Sequence, residues 1–366
     1  MGLIRFILAV AVVIAHTGPI YGFSMLPGNY AVETFFMISG FYMSLVLSDK
    51  YNLPSSVSVF YTNRFIRLYP TYISVVVLAW LWFFFTWFWI GKVPANSWIE
   101  YYDIISAFPK FLIIFANWTM IGLDIPSLFH FSKENGFMVF HYYGASTAPD
   151  GAAWVGDFRT IGQAWSIGLE IWFYILAPFI VRLSNIKLLL LTILSVAVKI
   201  AMEMNGFLTY FFFPAQLCFF LIGIFCHRFY KSNSVFLAKN QLGLIFLIID
   251  ILFTCFYMYF DFYGIRYAYY TVVSLSLPFV FYYFRKNSWD RWIGNLSYPI
   301  YMSHMVVISV SHHIFRGGAS GIFALLLTIV FSSLILKYFE DPLDEWRQKR
   351  VKSKISNGNM TDPATA

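Results

Sequence analysis

Arg5 and His16 bracket the aliphatic stretch RFILAVAVVIAH. On an α-helix, eleven steps of about 100° return almost to the starting direction, and a rise of about 1.5 Å per residue sets the two side chains roughly 16 Å apart on one face. Histidine titrates near neutral pH, which suits a general base or a transient acyl acceptor. Arginine binds phosphate through paired hydrogen bonds. Three further ionisable residues sit in apolar surroundings: Glu33 in VETFFMISGFYMS, Glu170 in AWSIGLEIWFYILAP and His304 in GNLSYPIYMSHMVV. Ser166 and Glu170 are spaced i, i+4, and Ser297, Tyr301 and His304 are spaced i, i+4, i+7, so each set lies on one helical face. In NRFIRLYP, Arg64 and Arg67 stand at i, i+3 just before another hydrophobic run. With Arg5 they form a cationic cluster fit for an anionic phosphate ligand.

The elements that carry these residues are membrane spans. Of the 366 residues, 59% are hydrophobic, 22% aromatic and only 12% charged, against about 25% charged in soluble domains. The formal charge of +7 therefore reads as lysine and arginine on the cytoplasmic side, not as a nucleic-acid surface. Cys218, Cys226 and Cys255 lie in apolar runs without redox or ligand spacing and read as packing residues. His130, His141, His312 and His313 lack the i, i+4 pattern of a helical zinc site, and no metal is predicted. The sequence AHTGPIYG is a poor cleavage site, so the first segment reads as a retained span.

Eleven stretches approach the roughly 20 apolar residues a span needs: 3–18, 30–49, 68–90, 105–123, 162–182, 186–204, 209–227, 242–260, 266–284, 294–312 and 319–338. If 105–123 does not cross, every main basic cluster falls on one side. The expectation is an all-α bundle of about ten spanning helices with both termini cytoplasmic, and 105–123 lying flat or re-entrant. Residues 1–345 form a single integral membrane domain, and 346–366 form a basic, partly disordered cytoplasmic tail. Within the outer region, HYYGASTAPDGAAW reads as a loop. On this topology His16, Glu33, Glu170 and His304 fall at similar depth toward the outer side, where ionisable groups face a protein interior or a watery cavity. Each also has a plainer explanation. The arginines serve as positive-inside anchors, a lone histidine as a helix-packing hydrogen bonder, and a glutamate near a span end as a cap. Asp250 reads as a structural partner.

Five motifs in order resemble the membrane acyltransferase-3 family, which places acyl groups, often acetyl, on extracytoplasmic carbohydrates. They are Arg5 with His16; Phe35, Phe36, Ser39, Gly40 and Phe41; the pair Arg64 and Arg67; WSIGLE from Trp165 to Glu170; and Gly294 through His304. The resemblance runs from Arg5 to about Pro342. Glu33 stands where an aspartate is frequent, retaining the carboxylate, and Ile167 replaces a leucine.

The resemblance implies an O-acetyltransferase of a bacterial inner membrane, with acyl-CoA, chiefly acetyl-CoA, as donor and a carbohydrate as acceptor. Arg5, Arg64 and Arg67 would hold the donor phosphates. His16, Glu33, Glu170 and His304 would carry the chemistry, and Trp165, Ser166, Tyr298 and Tyr301 would bind substrate. Some relatives append a hydrolase-like extracytoplasmic domain. This sequence shows none, which leaves hand-off to a separate extracytoplasmic transferase open. The competing class is a proton-coupled transporter or flippase of a lipid-linked sugar, since intramembrane carboxylates and histidines suit proton coupling too.

Overall fold

The computed structural model describes residues 1–51, 56–91, 97–132, 138–140, 153–240, 242–314 and 320–356. The segment 141–152, which holds His141 and most of the expected loop, and the tail 357–366 lie outside the described residues. In chain order the helices are α1 (Gly2–Thr17), α2 (Gly28–Asp49), α3 (Val57–Ile90), α4 (Ser97–Tyr101), α5 (Ala107–Thr119), α6 (Trp165–Ile180), α7 (Asn185–Met204) and α8 (Phe213–Ser232). There follow α9 (Ser234–Lys239), α10 (Gly243–Phe256), α11 (Ile265–Phe284), α12 (Ser288–Asn295), α13 (Ser297–Ile314), α14 (Ser320–Ile335) and α15 (Asp341–Ser356). A π-helical turn, Leu336–Glu340, joins α14 to α15 without a break. Short strands β1 (Phe129–Phe131), β2 (Met138–Phe140) and β3 (Ala153–Trp154) form one antiparallel sheet with β1 central.

Among the described residues, six helical stretches are long and apolar enough to cross a membrane: Gly28–Asp49, Val57–Trp89, Gly162–Ile180, Asn185–Met204, Phe213–Ser232 and Gly321–Arg350. Four more of the expected segments are helical but differ in kind. α1 and α10 are apolar but have only 16 and 14 residues. α11 and α13 have 20 and 18 residues, but their tyrosine, serine and histidine side chains lower the hydropathy. Some of those polar groups turn inward, among them Tyr269, Ser276, Ser297, Ser303, His304 and Ser311, whereas Tyr267, Tyr283, His312 and His313 are exposed. α5 has 13 residues, about 20 Å of helix against a hydrocarbon core of about 30 Å. The sequence placed Arg64 and Arg67 just ahead of the third span. They lie inside α3, which begins at Val57 and runs on through Pro70. Helix also extends into the expected tail, as far as Ser356.

The chain divides into two compact units. The first comprises 1–71, 177–183 and 219–366. It is organised around α1, which packs on α2, α10, α12, α13 and α14. Ala9 and Val13 of α1 meet Leu296, Ile300 and Leu336 in its core. Inside a bilayer, apolar side chains gain little by leaving lipid, so close backbone approach and interhelical hydrogen bonds hold helices together. Gly40 of α2 shows the first device: a Cβ there would lie 2.0 Å from the carbonyl oxygen of Phe220 on α8. The second device follows one turn below, where Ser44 Oγ and His227 Nδ1 are 2.7 Å apart. The start of α1 lacks a cap of its own. Asp290 of α12 supplies one, accepting from the Gly2 and Leu3 amides at 2.8 and 2.9 Å and from the Met1 ammonium at 2.9 Å.

The second unit comprises 72–176 and 184–218. Its core gathers Tyr101, Ile105, Ile113, Phe131, Val155 and Phe158. The loop after α5 is braced on α6. Gly168 allows the Asp124 backbone nitrogen within 2.7 Å of where a Cβ would stand, and the Trp172 indole donates to Asp124 Oδ1 at 3.1 Å. Burial pushes the Asp124 carboxyl up to about 6, against the opposing pull of backbone N–H donors, Trp172 and Arg159.

Candidate active site

His16 lies in the last turn of α1, and its Nδ1 is 2.8 Å from the Val12 carbonyl oxygen. A carbonyl can only accept, so Nδ1 carries the hydrogen and the neutral ring keeps its lone pair on Nε2. His304 repeats the arrangement on α13, with Nδ1 2.7 Å from the Tyr301 carbonyl oxygen. The two imidazole centroids are 4.9 Å apart, with the planes tilted by 52°. His16 is exposed and His304 is fully buried. Nε2 of His304 has no hydrogen-bond partner among the described residues, an uncommon condition for a buried polar atom. The Tyr301 ring stands 5.9 Å from that of His304, and Phe35 lies 6.3 Å from Tyr301. Tyr301 thus lies beside His304 on α13, and His304 lies beside His16 of α1.

Glu33 is buried on α2 and accepts a short hydrogen bond from the Tyr270 hydroxyl of α11. Tyr298 is buried on α13 and donates to the Leu68 carbonyl at 2.8 Å, tying α13 to α3. Trp165, Ser166 and Glu170 all lie on α6 in the second unit. Trp165 packs against Tyr210 and Phe211, with centroids 4.2 and 4.9 Å away. The Ser166 hydroxyl donates to the Gln163 carbonyl at 3.2 Å, and Glu170 accepts a short hydrogen bond from Tyr174 one turn on. Asp250, expected to be structural, is buried and accepts from Ser276.

At the Arg5 end the groups are charged. Arg67 Nη1 is 3.3 Å from Glu340 Oε2, with the two side chains 19% and 5% exposed, and Nη2 donates to Asn295 at 3.4 Å. Thr71 donates to the other Glu340 oxygen at 2.6 Å. Arg5 adds its field to the same carboxylate. The Arg64 guanidinium lies 5.8 Å over the Phe60 ring, and its Nε is buried without a partner among the described residues. Sequence reasoning missed Glu340, Asn295 and Thr71. Their signal was weak: Glu340 sits in a π-helical turn, a break in helical register that often marks functional positions, and no spacing rule exposes it in advance. Among the described residues, no three His, Cys, Asp or Glu side chains group as a metal site.

Two imidazoles thus stand together at one end of the apolar helix α1, and guanidinium groups gather at the other. The acyltransferase-3 family, described as an acyltransferase domain, matches residues 1–337, and the chain belongs to that family. No curated protein and no solved structure matches it.

Proposed function

We propose that the chain is an O-acetyltransferase that moves an acetyl group from cytoplasmic acetyl-CoA to a hydroxyl of an extracytoplasmic or lipid-linked carbohydrate. In this reading it crosses a bacterial inner membrane ten times, keeps both termini cytoplasmic and works as one domain over residues 1–345. The observation that carries the proposal is the His16–His304 pair, two imidazoles 4.9 Å apart whose Nδ1 atoms are both committed to carbonyls. Each ring is thereby held in the tautomer that leaves the lone pair on Nε2.

The acceptor hydroxyl loses its proton to His16 Nε2 as its oxygen bonds to the acyl carbonyl carbon. The carbon–sulfur bond breaks, and coenzyme A leaves as a thiolate that takes up a proton. His304 Nε2 and Tyr301 orient the acceptor. Glu33 supplies the negative charge that steadies an imidazolium, as carboxylates beside catalytic histidines do. Arg5, Arg64 and Arg67 hold the donor phosphates, and Tyr298 fixes the helix that carries His304.

The test is transfer of labelled acetyl from acetyl-CoA by purified protein in lipid. Label should reach a glycan with the native chain and not with His16→Ala, both being expressed and folded. Wild-type transfer by His16→Ala would remove the chemistry. Absence of label, together with substrate-dependent flux in vesicles, would favour a transporter.

A further inference from the structure

Among residues 337–342 only Glu340 is buried; Lys337, Tyr338 and Phe339 before it and Asp341 and Pro342 after it are exposed. A carboxylate is seldom buried unless it is paired. The wider i, i+5 winding of the π-helical turn Leu336–Glu340 sets the direction in which this one points. It meets α3 at two positions one helical turn apart. Thr71 donates to Oε1 at 2.6 Å, and Arg67 Nη1 stands 3.3 Å from Oε2. Arg67 and Thr71 are spaced i, i+4, so they share a face of α3 and hold the carboxylate between them.

The contacts run in series. Thr71 fixes Glu340, and Glu340 fixes one edge of the Arg67 guanidinium. Asn295 of α12 accepts from Nη2 at 3.4 Å. A guanidinium has five N–H donors. Glu340 and Asn295 make one contact each, and the Arg67 side chain stays 19% exposed, which leaves donors for an anion on its open side. A buried ion pair adds little net stability, because desolvation offsets the attraction. What it supplies here is one direction for a long side chain that otherwise samples many rotamers.

We propose that Glu340 is a positioning residue: with Thr71 and Asn295 it holds the Arg67 guanidinium in the orientation that binds the phosphates of the acyl donor. The inference rests on the reading of Arg67 as a ligand of coenzyme A. It runs against simple charge arithmetic, in which a carboxylate beside an anion site repels the anion and its removal tightens binding.

The experiment measures equilibrium binding of acetyl-CoA to the full chain in lipid nanodiscs, with the melting temperature recorded on the same samples. Glu340→Gln keeps an acceptor for Thr71 but loses the charge that fixes Arg67. It should weaken acetyl-CoA binding about five- to tenfold, the size of one impaired charge-assisted contact. Glu340→Asp, which returns the charge on a shorter stem, should recover part of that loss. Thr71→Val leaves the charge in place but releases the carboxylate, and should weaken binding about two- to threefold. Asp341→Asn removes the same charge one residue on, from an exposed side chain whose pull on Arg67 is screened by water, and should leave the affinity within about twofold. Binding by Glu340→Gln as tight as the wild type or tighter overturns the inference. So does equal weakening in Asp341→Asn, or a lowered melting temperature with unchanged affinity. If Glu340→Gln does not fold, unchanged affinity in Thr71→Val overturns it. Each of these results leaves the donor reading standing. A wild type that binds no acetyl-CoA overturns that reading, and this inference with it.

Discussion

At one end of α1 each imidazole is fixed by a carbonyl one turn or less away on its own helix. At the other end the fixing groups come from different elements: Arg67 of α3 is held by Glu340 beyond α14 and by Asn295 of α12, and the start of α1 by Asp290. The first kind of order is local. It survives small displacements of neighbouring helices, because donor and acceptor move together. The second kind is assembled from several elements and weakens when any of them moves. In the proposed reaction, the imidazole nitrogens are prearranged within single helices, whereas the proposed phosphate site depends on the packing of the whole first unit.

The largest expected effect breaks the His16 end alone. His16→Ala should lower turnover by about 10²–10⁴, the usual worth of a positioned base, while the affinity for acetyl-CoA measured by direct binding stays within about twofold. Equal loss of donor binding would mean that the two ends are not separable. Next in size, Arg64→Ala/Arg67→Ala should weaken donor binding by at least about tenfold with little change in turnover at saturating donor, since charge-assisted bonds contribute about 1.5–3 kcal/mol each. Raising the salt from about 50 to 200 mM should weaken donor binding in the wild type and much less in the double variant. An unchanged donor affinity in the variant would detach the arginines from coenzyme A.

Tyr298→Phe sharpens the contrast further. Its hydroxyl reaches the Leu68 carbonyl, next to Arg67 in the chain. Loss of that bond costs about 0.5–1.5 kcal/mol and loosens α13 on α3. The donor KM should rise about two- to fivefold with the acceptor KM unchanged. A rise confined to the acceptor KM would instead place Tyr298 at the sugar.

Much of this was legible in the sequence because it follows helical period. The i, i+11 relation of Arg5 and His16, and the i, i+3 relation of Tyr301 and His304, need only the geometry of one helix. Length and apolarity likewise located the helices. Interhelical pairing was not legible. Glu33 with Tyr270 joins residues 237 positions apart, and Thr71 with Glu340 joins residues 269 apart, and no period links them. Helix α3 starts at Val57, ahead of the expected span at 68–90. Helix continues there because backbone bonding does not require an apolar surface once the segment leaves the hydrocarbon.

Two aspartates outside the spans carry the contrast into pH, with opposite signs. Burial raises the Asp290 carboxyl, but the Met1 ammonium and the Gly2 and Leu3 amides outweigh it, so the group stays below its ordinary range. Between that lowered value and about 4, the unfolded chain binds more protons than the native one, and stability rises with pH. The support that Asp290 gives α1 is therefore complete above about pH 4 and is lost on acidification. Asp124, lifted to about 6, behaves in reverse. The native state holds its proton longer than the unfolded chain, so stability falls as pH rises from about 4 to 6, by up to about 3 kcal/mol, and is level above. Asp124→Asn still offers an oxygen to Trp172 and should remove that decline, leaving the detergent-solubilised protein with a higher melting temperature at pH 7 than the wild type and a similar one at pH 4. Asp290→Asn should do the opposite, losing about 0.5–2 kcal/mol at pH 7, as when a helix loses its cap, with the difference shrinking toward pH 3. Parallel shifts of both variants at every pH would show that neither carboxyl titrates across folding, and that their hydrogen bonds alone set their worth.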